Sequence, residues 1–355
     1  MQPISLAPPQ YDEEREARLL RHELKSLGAE ISQTDAEQLL FISRRKYNRF
    51  DLFAPGESFQ SRLPRWLQNF SKDDRQTAMQ VVHDLTFISY MELRSLAIGA
   101  FEMVRDYVKS VSGVQTGTPW NAIVDSIQSQ VDEALSRTLF VASSDDVLFD
   151  FFRRQAQRSS GRLGRENFVE YYKFHEMEQP DPAKHDRVIL LDQISASGTT
   201  LLRRDERLWK GKLPGFVRLW PRHIKTQILY VPYVMTRIAY SRTAERLRAW
   251  RAESGAPPVE VSPVLFVGSS PCVADRSGMG VDPETPVAKL CQKYHDRFHD
   301  DEHTRKGGPT LYGFGQAGLT LVMNSNIPNN SLPIIWHDFG GWVPLFPRVS
   351  HHREA

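Results

Sequence analysis

From Thr138 onward the chain repeatedly sets short, unbroken apolar runs between stretches of helical spacing. Leu139 to Ala142, Val188 to Leu191, Gln227 to Tyr233, Val264 to Val267, Leu319 to Met323 and Leu332 to Trp336 are such runs. A strand that is apolar at every position has to be covered on both faces, and crossover helices provide that cover. The intervening stretches Thr236 to Trp250 and Val287 to Phe298 carry the spacing such helices need. The pattern predicts an α/β domain on a parallel sheet.

The first part of the chain reads differently. Leu19, Leu20, Leu24 and Leu27 lie on one helix face, with Gly28 as a stop. Thr34-Asp35-Ala36-Glu37 has the form of a capping box opening a second helix through Leu39, Leu40 and Ile42. A third starts at Ser71 and runs through Met79, Val82, Leu85 and Ile88, and a fourth spans about Met91 to Val111. No strand alternation precedes residue 138. Ser112 to Gly117 reads as a linker, and Thr118-Pro119 as the start of a helix ending near Arg137. The expected division is an all-helical N-terminal module, residues 1–117, followed by the α/β domain, residues 118–355.

Composition narrows the function classes. Lys and Arg number 45 against 43 Asp and Glu in 355 residues, so a nucleic-acid or membrane site would have to be a local patch. Two cysteines, Cys272 and Cys291, do not make a disulfide scaffold and suit a reducing compartment. No apolar stretch is long enough to span a bilayer, and Met1 to Gln10 lacks the pattern of a signal peptide. A cytoplasmic protein without membrane association is expected.

The segment Val188-Ile189-Leu190-Leu191-Asp192-Gln193-Ile194-Ser195-Ala196-Ser197-Gly198-Thr199-Thr200-Leu201 carries the most chemistry. A buried strand ends at an acid, and a loop of small residues leads into what reads as an amphipathic helix. In a parallel α/β sheet, ligands sit beyond the carboxyl ends of the strands. Backbone amides, hydroxyls and a helix N-terminus suit a phosphate, and Asp192 is placed to accept from sugar hydroxyls. An ordinary βα turn eased by one glycine is the plainer alternative.

This segment resembles the phosphoribosyl-pyrophosphate loop of type I phosphoribosyltransferases. The resemblance implies that Ser195, Ala196, Ser197, Gly198, Thr199 and Thr200 cradle the 5-phosphate of a ribose. Asp192 and Gln193 then stand at the catalytic pair that holds the ribose hydroxyls. Family members have a second acid where this chain has Gln193, so the negative charge at that position is missing. Ala196 likewise replaces the carboxylate that serves hypoxanthine-type members as a base. The resemblance further implies Mg²⁺ as cofactor. It also implies a pyrophosphate site at Ser143 and Ser144, which precede Asp145-Asp146, with Arg158 and Arg162 from a mobile basic segment, Arg153 to Arg165. A solvated basic loop, or a patch for a nucleic-acid backbone, is an alternative for those arginines.

The C-terminal run from Asn324 to Trp336, with Trp342 to Arg348, resembles a narrower group, the phosphoribosyltransferase-like effectors of bacterial conflict and antiphage systems, including retron-type systems. Asn324 and Asn326 could read a base edge and Trp336 could stack on the base; turn and packing roles are the alternative. The resemblance covers roughly residues 136–348. Its implications are a ribose-phosphate or nucleotide ligand, transfer or cleavage at ribose C1, and an ATPase or reverse transcriptase as partner. The competing reading is a non-enzymatic module that senses a nucleotide and holds a partner or a second copy of itself through its helices.

Other motifs carry less. Gly313-Phe314-Gly315-Gln316-Ala317-Gly318 precedes an apolar run instead of following one, the wrong order for a dinucleotide fingerprint. Gly211-Lys212-Leu213-Pro214-Gly215 lacks the spacing of a nucleotide-phosphate loop and reads as a turn. Cys291, His295, His299 and His303 recur every four residues; on a helix each step drifts by about 40°, so a neighbouring pair could chelate one zinc but all four could not share one ion without unwinding. A polar helix face is the simpler expectation, and no metal site is assigned.

Overall fold

The computed structural model describes residues 13–112, 124–144, 148–172, 184–219, 226–298 and 311–349. The chain forms two compact units, residues 1–89 with 269–355, and residues 90–268. The boundary expected near residue 117 falls inside the range of the second unit.

Helix α1 (Glu13–Ser26) buries Ala17, Leu20 and Leu24. Helix α2 (Gln33–Arg45) has its N-cap two residues earlier than its capping-box motif implies, at Ser32. Ser32 Oγ accepts from the Asp35 amide at 3.0 Å and Asp35 Oδ2 accepts from the Ser32 amide at 3.1 Å, so Thr34 lies inside the helix. Helix α3 (Phe59–Leu67) went unread because Pro64 breaks its pattern, yet it buries Phe59, Leu63, Trp66 and Leu67. Helix α4 (Arg75–His83) is shorter than expected. The chain beyond it forms strand β1 (Thr86–Ile88) instead of continuing as helix to Ile88.

The second unit opens with α5 (Tyr90–Val111) and α6 (Val124–Ser136), followed by β2 (Thr138–Ala142) and α7 (Phe149–Ser159). Next come β3 (Phe168–Glu170), β4 (Arg187–Ser195), the short strands β5 (Arg203–Asp205) and β6 (Leu208–Lys210), and α8 (Lys212–Leu219). Strand β7 (Gln227–Thr236), helix α9 (Arg237–Ser254), β8 (Val259–Val261) and β9 (Leu265–Val267) complete it. Six strands make one sheet in the order β3-β2-β4-β7-β8, with β9 also beside β7, and every pairing is parallel. The expected parallel α/β architecture is therefore present, with a helical region before it. One face packs Phe140, Ile189, Leu191 and Val231 against Phe101, Val104, Leu135 and Phe152. The other packs Val141, Val188, Leu190 and Ile228 against Leu213, Phe216, Ala239 and Trp250. Burial on both faces is why these strands read as continuous apolar runs.

The remainder of the first unit is α10 (Pro286–Tyr294), β10 (Leu321–Met323) and a helical turn, α11 (Pro333–Trp336). Strand β10 pairs in parallel with β1, Thr86 opposite Leu321, so the run Leu319 to Met323 is a strand of this small ladder and not of the central sheet. Leu332 to Trp336, expected as a strand, is helical: Pro333 at its first turn has no amide to give a ladder and a φ preset for helix. Phe346 gathers the rings of Tyr47, Phe50, Phe53 and Phe59 at 5.2–5.7 Å between centroids. No helix among the described residues is long and apolar enough to cross a membrane.

Candidate functional site at the carboxyl edge of the sheet

Because all strands run parallel, their carboxyl ends share one edge. From β2 the chain turns outward to β3, then crosses back to β4 and continues to β7. The crevice between the ends of β2 and β4 is therefore the switch point at which α/β sheets bind ligands. Two of the sequence-predicted segments meet there. The Ser143 amide donates to the Leu191 carbonyl at 2.7 Å, and the Gln193 amide donates to Ser144 Oγ at 3.5 Å. Asp145 and Asp146 lie outside the described residues.

Asp192 does not end its strand. Strand β4 continues to Ser195, and Asp192 is only 3% exposed. Its Oδ2 accepts a hydrogen bond from Tyr230 Oη at 3.0 Å on neighbouring β7. Burial, and then the Asp192 charge, pushes the Tyr230 hydroxyl well above its ordinary value, so it stays protonated as the donor. Sequence reading missed Tyr230 because it sits inside an apolar run, where an aromatic residue reads as core.

Beyond Ser195 the chain turns sharply. Gly198 has φ +72°, and a Cβ there would stand 2.7 Å from Thr243 Oγ1 and 3.0 Å from the Ala239 carbonyl oxygen, so only glycine fits. Carbonyls that flank this turn are engaged by residues of α9 and α8. Ala196 O accepts from Thr236 Oγ1 at 2.7 Å, and Thr200 O and Leu201 O accept from the Lys212 and Leu213 amides at 3.1 and 3.0 Å. Leu202 O accepts from Arg246 Nη1 at 3.3 Å. The Thr199 amide donates weakly to Ser197 Oγ at 3.4 Å, while the amides of Ser197, Gly198 and Thr200 have no acceptor among the described residues. Amides left over at a turn are what an anion cradle requires.

The helix expected to open at this loop is absent. The chain turns at Thr199 to Leu201 and then forms the antiparallel ladder β5–β6. A positive helix end is nevertheless present nearby, at α9. Its N-cap, Thr236, accepts from the Ala239 amide at 2.9 Å while donating to Ala196, fixing helix start and loop to one another. Arg246 adds a cation at the loop exit; burial first, and the Arg242 charge second, lower its pKa.

Arg158 and Arg162 are not brought to this edge. The arginine run is helix up to Ser159, not a loop, and Arg153 and Arg154 pair with Asp150 one turn earlier. Helix α7 leaves the carboxyl end of β2 and returns to the start of β3, so Arg158 in its last turn lies toward the opposite, amino edge. Arg162 follows the same path, reaching Ser129 Oγ at 3.4 Å and Glu133 at 3.8 Å on α6, just before β2 begins. Asn324, Asn326 and Trp336 belong to the first unit. Asn326 Nδ2 donates to Val349 O at 2.9 Å and its Oδ1 accepts from the Ile327 amide at 2.9 Å, a turn role. The Asn324 backbone bridges Asp51 and Ile88. The Trp336 indole is buried, donates to Ser331 O at 2.9 Å and carries the Arg348 guanidinium 5.1 Å from its ring centre. Cys291 is likewise buried in the core, while His299 and His303 lie outside the described residues.

Among the described residues Asp192 offers this edge a carboxylate for a divalent cation, while Asp145 and Asp146 lie outside them. Asp192 is followed by the uncharged amide of Gln193, and the described residues contain no group of three or more metal-ligating side chains.

Comparison with curated proteins and with solved structures found no match to this chain. A family profile, PRTase-CE, matches residues 63–348, from within α3 to the final turn, and so takes in parts of both compact units. With a parallel sheet, a switch-point crevice and a small-residue loop at its carboxyl edge, the chain belongs to the PRTase-CE family and contains a phosphoribosyltransferase-like domain.

Proposed function

We propose that the carboxyl edge of the sheet binds phosphoribosyl pyrophosphate or a related ribose phosphate or nucleotide. The observation that carries this reading is the turn at Gly198: the flanking carbonyls of Ala196, Thr200, Leu201 and Leu202 are held by Thr236, Lys212, Leu213 and Arg246, and the amides of Ser197, Gly198 and Thr200, with no acceptor among the described residues, are left for a phosphate. Asp192, oriented by Tyr230, accepts from a ribose hydroxyl, and the Gln193 side chain contributes a neutral amide beside it. Ser143 and Ser144 border the ligand on the β2 side. Charge development at ribose C1 would be met by positioning and fixed dipoles, and no step is assigned to a metal. Isothermal titration of the full chain with phosphoribosyl pyrophosphate tests the reading: heat of binding is expected, and its absence, or unchanged heat in Ser197→Arg, overturns it.

The biological role we propose is that of an effector in a bacterial antiphage system, acting at ribose C1 and regulated by a partner protein. The support is the family membership together with the C-terminal run it covers. Phage plating on cells carrying the intact gene cluster, against a Ser197→Arg version, tests it; equal plating in the two removes the role.

A second reading, a nucleotide sensor without catalysis, is favoured by Gln193 and by the burial of Asp192. It predicts ligand binding without pyrophosphate release, in both the native chain and Gln193→Asp.

A further inference from the structure

Within the second unit a groove of about 270 Å³ runs between α9 and β8, on a face of the helix beside the one that meets the phosphate loop. Its walls are Leu247 and Ala244 on the helix, Val259 and Val261 on the strand, and Pro257 and Pro258 at the turn between them, with Tyr240, Arg248 and Arg251 along the rim. Strand β8 pairs with β7 on one side and with no strand on the other among the described residues. The Ser262 and Val264 amides bond inward to Tyr230 and Pro232, so by the alternation of a ladder the Val259 and Val261 amides face outward. Arg248 and Arg251 are exposed, and among the described residues neither has a carboxylate partner.

We infer that this groove and edge bind an extended acidic peptide of a partner protein, which adds as a strand to β8. The strand edge supplies main-chain hydrogen bonds, and on the peptide face turned to α9 the groove takes apolar side chains while the two guanidiniums select carboxylates. Charge argues against a second copy as the occupant. Antiparallel addition of β8 to its own copy would put both α9 helices on one face and bring four unpaired arginines together. Pro257, Pro258 and Pro263 bracket the edge and confine addition to a short segment.

The test uses the full chain and a fluorescein-labelled octapeptide, Thr-Val-Thr-Glu-Thr-Val-Thr-Glu, whose valines and glutamates share one strand face, with its glutamine counterpart as control. Anisotropy is expected to show binding of the glutamate peptide at least about tenfold tighter than the glutamine peptide, weakening with added salt. The double variant Arg248→Glu/Arg251→Glu, which changes only exposed side chains, is expected to lose about tenfold or more of that affinity with an unchanged circular-dichroism melt. Val261→Pro, which removes an outward amide, is expected to weaken both peptides. The inference is overturned by equal affinity for the two peptides, by indifference to the charge reversal, or by no binding of either. It is equally overturned if a single-stranded oligonucleotide binds these arginines more tightly than the peptide, or if light scattering shows a dimer that Val261→Pro dissolves.

Discussion

Tyr230 Oη donates to Asp192 Oδ2 at 3.0 Å across neighbouring strands, and both groups are buried. One carboxylate oxygen is thereby held by a donor that burial keeps protonated, which fixes the orientation of the other. A buried carboxylate needs such a partner, because an unsatisfied charge in the interior costs several times what one hydrogen bond contributes.

Tyr230→Phe removes only that hydroxyl. The expected loss is about 1–3 kcal/mol in the free energy of unfolding, read from urea denaturation, since the Asp192 carboxylate is left buried with one partner fewer. A change within ~0.5 kcal/mol would mean that water replaces the phenol and that Asp192 is more accessible than its burial indicates.

Gly198→Ala places a methyl group against Thr243 Oγ1 and the Ala239 carbonyl at a positive φ. We expect a destabilisation of about 1–3 kcal/mol and loss of phosphoribosyl pyrophosphate binding by titration calorimetry. Adding Thr243→Ala should not restore either property, because the Ala239 carbonyl belongs to the backbone; full rescue would contradict the described packing of the loop on α9.

Arg158→Ala and Arg162→Ala should leave ligand affinity within about twofold, because both residues lie toward the amino edge of the sheet, where they could contribute only long-range, screened charge. A larger loss in either variant, measured by the same titration, would return the arginine run to the site.

In the first unit, Asp74 Oδ2 accepts from Lys293 Nζ and Tyr294 Oη, both at 2.6 Å, and from Ser71 Oγ. Burial alone would raise this carboxyl, but these donors outweigh it and hold the carboxyl below its usual value. A carboxyl lowered in the folded state adds stability above its unfolded pKa of about 3.9, and that stability is lost as pH falls through the folded value. Asp74→Asn should therefore flatten the fall in stability below about pH 4 while lowering stability at neutral pH; acid titration of thermal unfolding measures both.

What could be read directly from the residues was local or repeated. Continuous apolar runs at Leu139, Val188 and Gln227 announce strands covered on both faces, and each appears in the central sheet; the run at Val264 also joins it, but as β9, with Leu265 and Phe266 exposed. The helical spacing before residue 112 gives α1, α2 and α5, because one buried stripe suffices to mark a helix. The small-residue loop after β4 was legible because its glycine and hydroxyls follow an apolar strand directly. Other features depended on partners distant in the chain. Thr86–Ile88 became a strand only by pairing with Leu321–Met323, and Tyr230 gained its role only where β7 lies beside β4. The arginine run looked like a phosphate clamp by its chemistry, but the direction of α7 carried Arg158 and Arg162 toward the opposite edge of the sheet. Periodicity and residue type act through neighbours in sequence and so specify elements; which side chains share an edge depends on strand order and helix direction, which are settled when distant segments pack.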